Sequence, residues 1–250
     1  MAPGLLALVQ ALRPLGKVSV VAPDHNWSVA GHVKTLHRPL RVKETKLADG
    51  SLALMCDGAP SDCVALAYMG LLSEPIDLVV SGINPVPNLG TDLTYSGTVA
   101  AAMEGVIWGI QSIAVSLDGP HDPQQQIDFS PAAKIAARIS ACVLRNRLPK
   151  GVLLNVNVPF LKLEEIRGYR VTRLGERMYH DFLVRREDPF GRPYYWIGGD
   201  PPSGVPEDGT DIGALAAGFV SITPVHMDMT AHHFLSRLQG WDWESPAVTS

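Results

Sequence analysis

IDLVVSGINPVPNLGTDLTYSGTVAAAMEGVIW, residues 76–108, decides the fold. Residues 76–81 are valine-rich and mostly apolar, the pattern of a strand buried within a parallel sheet. A polar loop with Pro85, Pro87 and Gly90 follows, and from Thr98 to about Trp108 the alanine-rich run predicts a helix. The same alternation extends both ways. Upstream, Leu5, Leu6, Leu8, Val9 and Leu12 fall on one helical face between Pro3 and Pro14, and residues 17–22 (KVSVVA) read as a second buried strand. A helix is expected over 61–72, a strand over 112–117, a helix over 131–147 and a strand over 152–156. Repeated strands and helices of these lengths imply a doubly wound, mostly parallel α/β sheet, Rossmann-like, with helices on both faces.

Between residues 169 and 196 the pattern changes to VTRLG, YHDFLVRRE and PYYWIGG, broken by the turn Asp188-Pro189-Phe190-Gly191. This predicts a projecting hairpin. With Tyr179, Tyr194, Tyr195 and Trp196 on an otherwise unsupported ribbon, a second subunit is the expected cover. A late strand is expected at 218–223 and a short helix at 230–238. The organisation expected is an α/β core over 1–160, an oligomerisation hairpin over 161–205, a return to the core over 206–240 and a tail over 241–250.

The 250 residues, 46% hydrophobic and 18% charged, suffice for one substantial core. A net charge of −4 with no basic stripe argues against duplex nucleic acid as a partner. No apolar run reaches the roughly 18 residues that span a bilayer, and the first residues lack the basic region of a signal peptide, so a cytoplasmic protein without membrane contact is expected. Cys56, Cys63 and Cys142 form no C-x-x-C pair and read as reduced core thiols.

Ligands of open α/β sheets bind beyond the carboxyl ends of the strands. Two such loops are rich in oxygen: Pro23-Asp24-His25-Asn26-Trp27-Ser28, and the run from Gly82-Ile83-Asn84 through Asn88, Gly90 and Asp92 to Ser96-Gly97-Thr98. Hydroxyls and free N–H groups at a helix start form a phosphate cradle, which Ser96, Gly97 and Thr98 could supply. Taken singly, these residues have plainer readings: Asp24 and Asn26 as turn caps, Asn84 and Asn88 as tolerant of left-handed backbone, Ser96 or Thr98 as an ordinary helix cap. His25 and His32 are the histidines nearest the loops, and Glu104 is a candidate buried anchor for the loop beside its helix.

A-P-D-x-N-x-S (residues 22–28), G-A-P-S-D-C (58–63), S-G-I-N (81–84), Y-S-G-T-V-A-A-A-x-E-G (95–105), N-V-N-V-P (155–159), G-T-D (209–211) and S-I-T-P (221–224) occur in this order. Together they make the chain resemble the stationary-phase survival protein SurE family. The resemblance implies a metal-dependent phosphomonoesterase acting on nucleoside 5′- or 3′-monophosphates with magnesium or manganese, assembled as dimers or tetramers through the hairpin. It implies Ser28 and Asn84 as metal ligands, and Asn26, Ser96, Gly97 and Thr98 around the phosphate. Two departures accompany it. Family members open with a strand ending in N-D-D-G, whose aspartates are the principal metal ligands; this chain is expected to begin just after that loop, about ten residues late. Val86 stands where the family usually has glycine: a left-handed backbone there would be strained or would reshape the loop, whereas re-routing by Pro85 and Pro87 would remove the cost. Impaired turnover is therefore expected of this chain, and the alternative reading is a non-catalytic nucleotide- or phosphate-binding oligomer.

Overall fold

A computed structural model describes residues 2–120, 122 and 124–243. Pro3 opens helix α1 (Pro3–Leu12), where its missing N–H costs nothing, and a 3₁₀ turn carries the chain to Gly16. Strand β1 (Val21–Pro23) pairs in parallel with β3 (Leu52–Cys56), and β3 pairs antiparallel with β2 (Val42–Lys46). The strand expected at 17–22 is thus displaced and shorter. Its ladder has a partner on one side only, and Val20 contributes just its carbonyl, which accepts from Leu54 N.

The larger sheet has the order β4-β5-β6-β10-β7. Strands β4 (Leu78–Asn84), β5 (Gln111–Asp118) and β6 (Val152–Pro159) run parallel, with Ile113 opposite Leu154. Strand β10 (Val220–His226) is antiparallel to β6 and parallel to β7 (Tyr169–Val171). Helices α2 (Pro60–Leu66), α3 (Gly97–Ile107) and α4 (Ser130–Asn146) intervene as expected, followed late in the chain by α5 (Asp211–Ala216) and α6 (His232–Gln239). The central sheet is α/β and mostly parallel, as the sequence implied.

Helices α1 and α4 cover one face through Leu8, Ile135 and Ile139 against Ile113, Val115, Leu117 and Val156. On the other, Val99, Ala102 and Met103 of α3 meet Ala114 and Leu153. This second contact requires Gly105. A Cβ there would lie 2.3 Å from Ser112 Oγ and 3.1 Å from Val79, so only glycine lets the helix approach so closely.

The two sheets do not join. Strands β1 and β4 are facing edges, and both line one cavity of about 2100 Å³. Helix α1 bridges the gap, placing Leu8 and Leu12 in the main core while Val9 packs with Val20, Leu47 and Ala53. Helix α2, lying against β1 and α3, bridges it on the other face. The gap leaves its mark on burial. Strand β5 is buried from Ser112 to Leu117, whereas Leu78, Val79 and Val80 of β4 are only half-buried.

The hairpin is observed, with different bounds. Strands β8 (Arg177–Glu187) and β9 (Pro193–Gly204) pair antiparallel, Leu183 opposite Ile197, whereas 169–171 belongs to the central sheet instead. Cys56 and Cys63 are buried thiols, but Cys142 is exposed on α4, a correction to the core placement. Among the described residues no helix is long and apolar enough to cross a membrane. Of the tail expected over 241–250, residues 244–250 lie outside the described residues.

Candidate functional site

The cavity between β1 and β4 is lined by all six residues singled out from the sequence: Asn26, Ser28, Asn84, Ser96, Gly97 and Thr98. They reach it from three places. Asn26 and Ser28 follow β1, where Asn26 Oδ1 accepts from Ser28 N at 3.0 Å and from Ser28 Oγ at 2.7 Å, a local Asx-type turn. Asn84 ends β4, and its Nδ2 donates to Val86 O at 2.6 Å, which leaves Oδ1 as the side-chain atom available to a ligand. Ser96 caps α3, its Oγ accepting from Val99 N at 3.2 Å. Gly97 is the point of closest approach. A Cβ there would sit 3.3 Å from Trp27 O and 3.2 Å from Pro60 Cγ, so the first loop lies directly against the helix start.

Asp24 and Asp92 also line the cavity, and neither is uncommitted. Asp24 Oδ1 lies 2.5 Å from His25 Nδ1. Asp92 accepts from Arg177 Nε at 2.7 Å and from the Tyr179 hydroxyl at 2.6 Å, which fastens the base of the hairpin to the loop after β4. His25 tilts against Trp27 with ring centroids 4.8 Å apart.

Beneath the loop after β4 lies a polar network that the sequence reading missed. Asn88 N donates to Asn157 Oδ1 at 2.8 Å, and Asn88 O accepts from Asn155 Nδ2 at 2.8 Å and Asn157 Nδ2 at 3.0 Å. Asn88 Nδ2 donates to Ser116 Oγ at 2.6 Å. Asn155 and Asn157 are wholly buried, so these bonds hold the loop with little competition from water. The available signal was N-x-N on an otherwise apolar strand, which puts two amides on one buried face.

Val86 does not adopt the left-handed backbone that would strain it, which is the outcome of the second alternative. Among the described residues, positive φ at non-glycine positions is confined to Val29 (+62°) and Arg147 (+57°). Val29 directly follows Ser28 and is 76% exposed, so nothing packs its side chain to offset a left-handed β-branched backbone. Val29→Gly is expected to raise stability by about 1 kcal/mol in urea denaturation, glycine's extra unfolded-state entropy removing part of a larger relief.

Strand-end loops converging on one cleft of a doubly wound sheet define a Rossmann-like α/β protein, a fold class in which ligands bind at that edge. The chain belongs to the SurE family: the family model described as "Survival protein SurE" matches residues 1–181. It is 55% identical over 243 residues to the 5′-nucleotidase SurE of Chloroflexus aggregans, covering 97% of this chain and 95% of that one. It is 56% identical to the 5′-nucleotidase SurE of Herpetosiphon aurantiacus, covering 97% and 94%. The crystal structure of the SurE protein from Aquifex aeolicus superposes with a TM-score of 0.80 at 44% identity, over 96% of this chain and 94% of that one.

Proposed function

We infer that this protein is a 5′-nucleotidase that hydrolyses nucleoside monophosphates to nucleoside and phosphate. The observation that carries the reading is the convergence of Asn26, Ser28, Asn84 and the Ser96–Thr98 helix start on one cleft, in a chain whose relatives are named for that activity. The role proposed for Ser96, Gly97 and Thr98 is to hold the phosphate, since an α-helix start offers unbonded N–H groups and the positive end of the dipole. Such donors also favour the charge that develops on phosphoryl oxygens during hydrolysis.

A divalent cation, magnesium or manganese, is proposed as cofactor with Ser28 and Asn84 among its ligands. These residues do not fit it by themselves. Both offer neutral oxygens, such ions favour carboxylates, and among the described residues no cluster of three His, Cys, Asp or Glu could hold a metal. Release of phosphate from AMP, measured with manganese and with chelator, tests the reading; binding of AMP without phosphate release under any metal condition would instead favour a nucleotide-binding oligomer.

Self-association through the hairpin is proposed as well. Phe182, Leu183, Tyr195, Trp196 and Ile197 are 55–82% exposed on a ribbon anchored at its base. A two-stranded ribbon is marginal by itself and an apolar surface of this kind favours association. Replacing residues 181–199 by a two-residue Asn-Gly turn is expected to yield a folded monomer by light scattering, against a dimer or larger species for the parent; an unchanged mass would remove the hairpin from the interface.

A further inference from the structure

Between β1 and β2 the chain runs from Asp24 to Arg41 without helix or strand, and this stretch carries Asn26 and Ser28. A segment with no ladder of its own keeps its place only through contacts with neighbouring elements. Two buried carboxylates supply them. Asp62, at the start of α2, accepts from Thr35 N at 2.9 Å and from Thr35 Oγ1 at 2.7 Å. Glu104, on α3, accepts from His32 Nε2 at 2.8 Å, from Lys34 Nζ at 3.3 Å and from Trp108 Nε1 at 2.8 Å. Lesser ties lie between them: Gly31 N donates to Tyr95 O at 2.9 Å, and Ser61 Oγ donates to Val33 O.

Glu104 differs from Asp62 in where its helix leads. Helix α3 begins with the cap Ser96 and with Gly97 and Thr98, so Glu104 lies six residues, about 9 Å, along the same rigid rod from the proposed phosphate cradle. One helix therefore fixes both the cradle and the anchor of the loop that faces it. The loop returns to the cradle where Trp27 O lies against Gly97, between Asn26 and Ser28. Glu104 is only 3% exposed; burial by itself would raise its carboxyl, but the hydrogen bonds from His32, Trp108 and Lys34 outweigh burial and hold it below the ordinary carboxylate range. Lys34 also lies over the Trp108 ring at 5.4 Å, and Tyr68 stacks on the same ring at 4.5 Å.

We propose that Glu104 is a positioning residue: acting through His32 and Lys34, it sets the separation between the loop bearing Asn26 and Ser28 and the helix start at Ser96 to Thr98, and thereby the affinity for a phosphate monoester. The ligand rests on the nucleotidase reading; the ordering of the loop rests on the geometry alone. A merely structural Glu104, satisfied by Trp108 within its own helix, would stabilise α3 without reaching the loop.

The experiment separates these. Glu104→Gln, His32→Ala and the double variant are compared with the parent by calorimetric titration with AMP and by hydrogen exchange of peptides spanning 26–37 and 112–118. The expected result is AMP binding about tenfold weaker for Glu104→Gln and for His32→Ala, with the double variant no weaker than either single one, because both act through one contact. Exchange should rise in 26–37 and stay unchanged in 112–118. Unchanged exchange in 26–37, or additive losses of affinity, would overturn the proposal. Should Glu104→Gln not fold, His32→Ala with Lys34→Met, both on the outer side of the contact, carries the same comparison. A parent that binds no AMP would overturn the nucleotidase reading, and exchange in 26–37 then decides the anchoring by itself.

Discussion

Titrated with manganese, the 250-residue chain is expected to show no saturable binding below about 1 mM, because affinity for hard divalent ions is set largely by the number of charged ligands. Two observations meet in this expectation. Ser28 and Asn84 bring only neutral oxygens, and the described residues hold no carboxylate cluster beside them. At the same place β1 and β4 are sheet edges with no further ladder partner among the described residues, across a cavity of about 2100 Å³ bridged by helices on both faces. Saturable manganese binding well below about 1 mM would show that the described residues do hold the ion, and Asp24, which lines the same cavity, would become the first carboxylate to substitute.

How far the sequence led depended on whether the deciding partner was near or far along the chain. The valine-rich runs and the alanine-rich helix gave the α/β architecture, because burial of a parallel strand shows in local composition. The two loops were legible because strand ends place ligand sites, and Ser96-Gly97-Thr98 because helix starts have a local grammar. Residues 169–171 were read into the hairpin since they share its alternation; their actual partner is β10, some fifty residues later, and no local pattern announces it. Strand β2 escaped notice because Val42–Lys46 is mostly exposed and carries little apolar signal, whereas β3, Leu52–Cys56, is a short apolar run whose signal was passed over. Asn88 was visible as a loop residue, but its partners Asn155 and Asn157 lie far along the chain on another strand. Left-handed strain fell at Val29 rather than Val86, and the two prolines flanking Val86 belong to a loop that reaches its course without positive φ there.

Asp211→Ala is expected to cost about 3 kcal/mol or more of stability in urea denaturation, and Asp211→Asn nearly as much. Asp211 is completely buried, and its carboxylate takes three backbone donors: Gly90 N at 2.8 Å on Oδ2, with Gly175 N at 2.7 Å and Ile212 N at 2.9 Å on Oδ1. These donors come from the loop after β4, the segment entering the hairpin, and the first turn of α5. The first two backbones are pressed together and against this carboxylate, since a Cβ on Gly90 would lie 2.4 Å from Gly175 O and one on Gly175 would lie 3.0 Å from Asp211 Oδ1. Alanine leaves three buried N–H groups without an acceptor and too little room for water to replace one. Asparagine keeps one oxygen but turns an N–H₂ group toward the remaining donors, so it restores few of the bonds. Asp208→Ala is the control, because that side chain is 92% exposed and its pairing with Arg170 should be worth no more than about 0.5 kcal/mol. The loop that Asp211 holds at Gly90 leads directly to Tyr95 and the Ser96 cap, so its release is expected to loosen the proposed phosphate cradle as well. Asp211→Asn within about 1 kcal/mol of the parent would mean that the neighbouring backbones hold one another without the carboxylate.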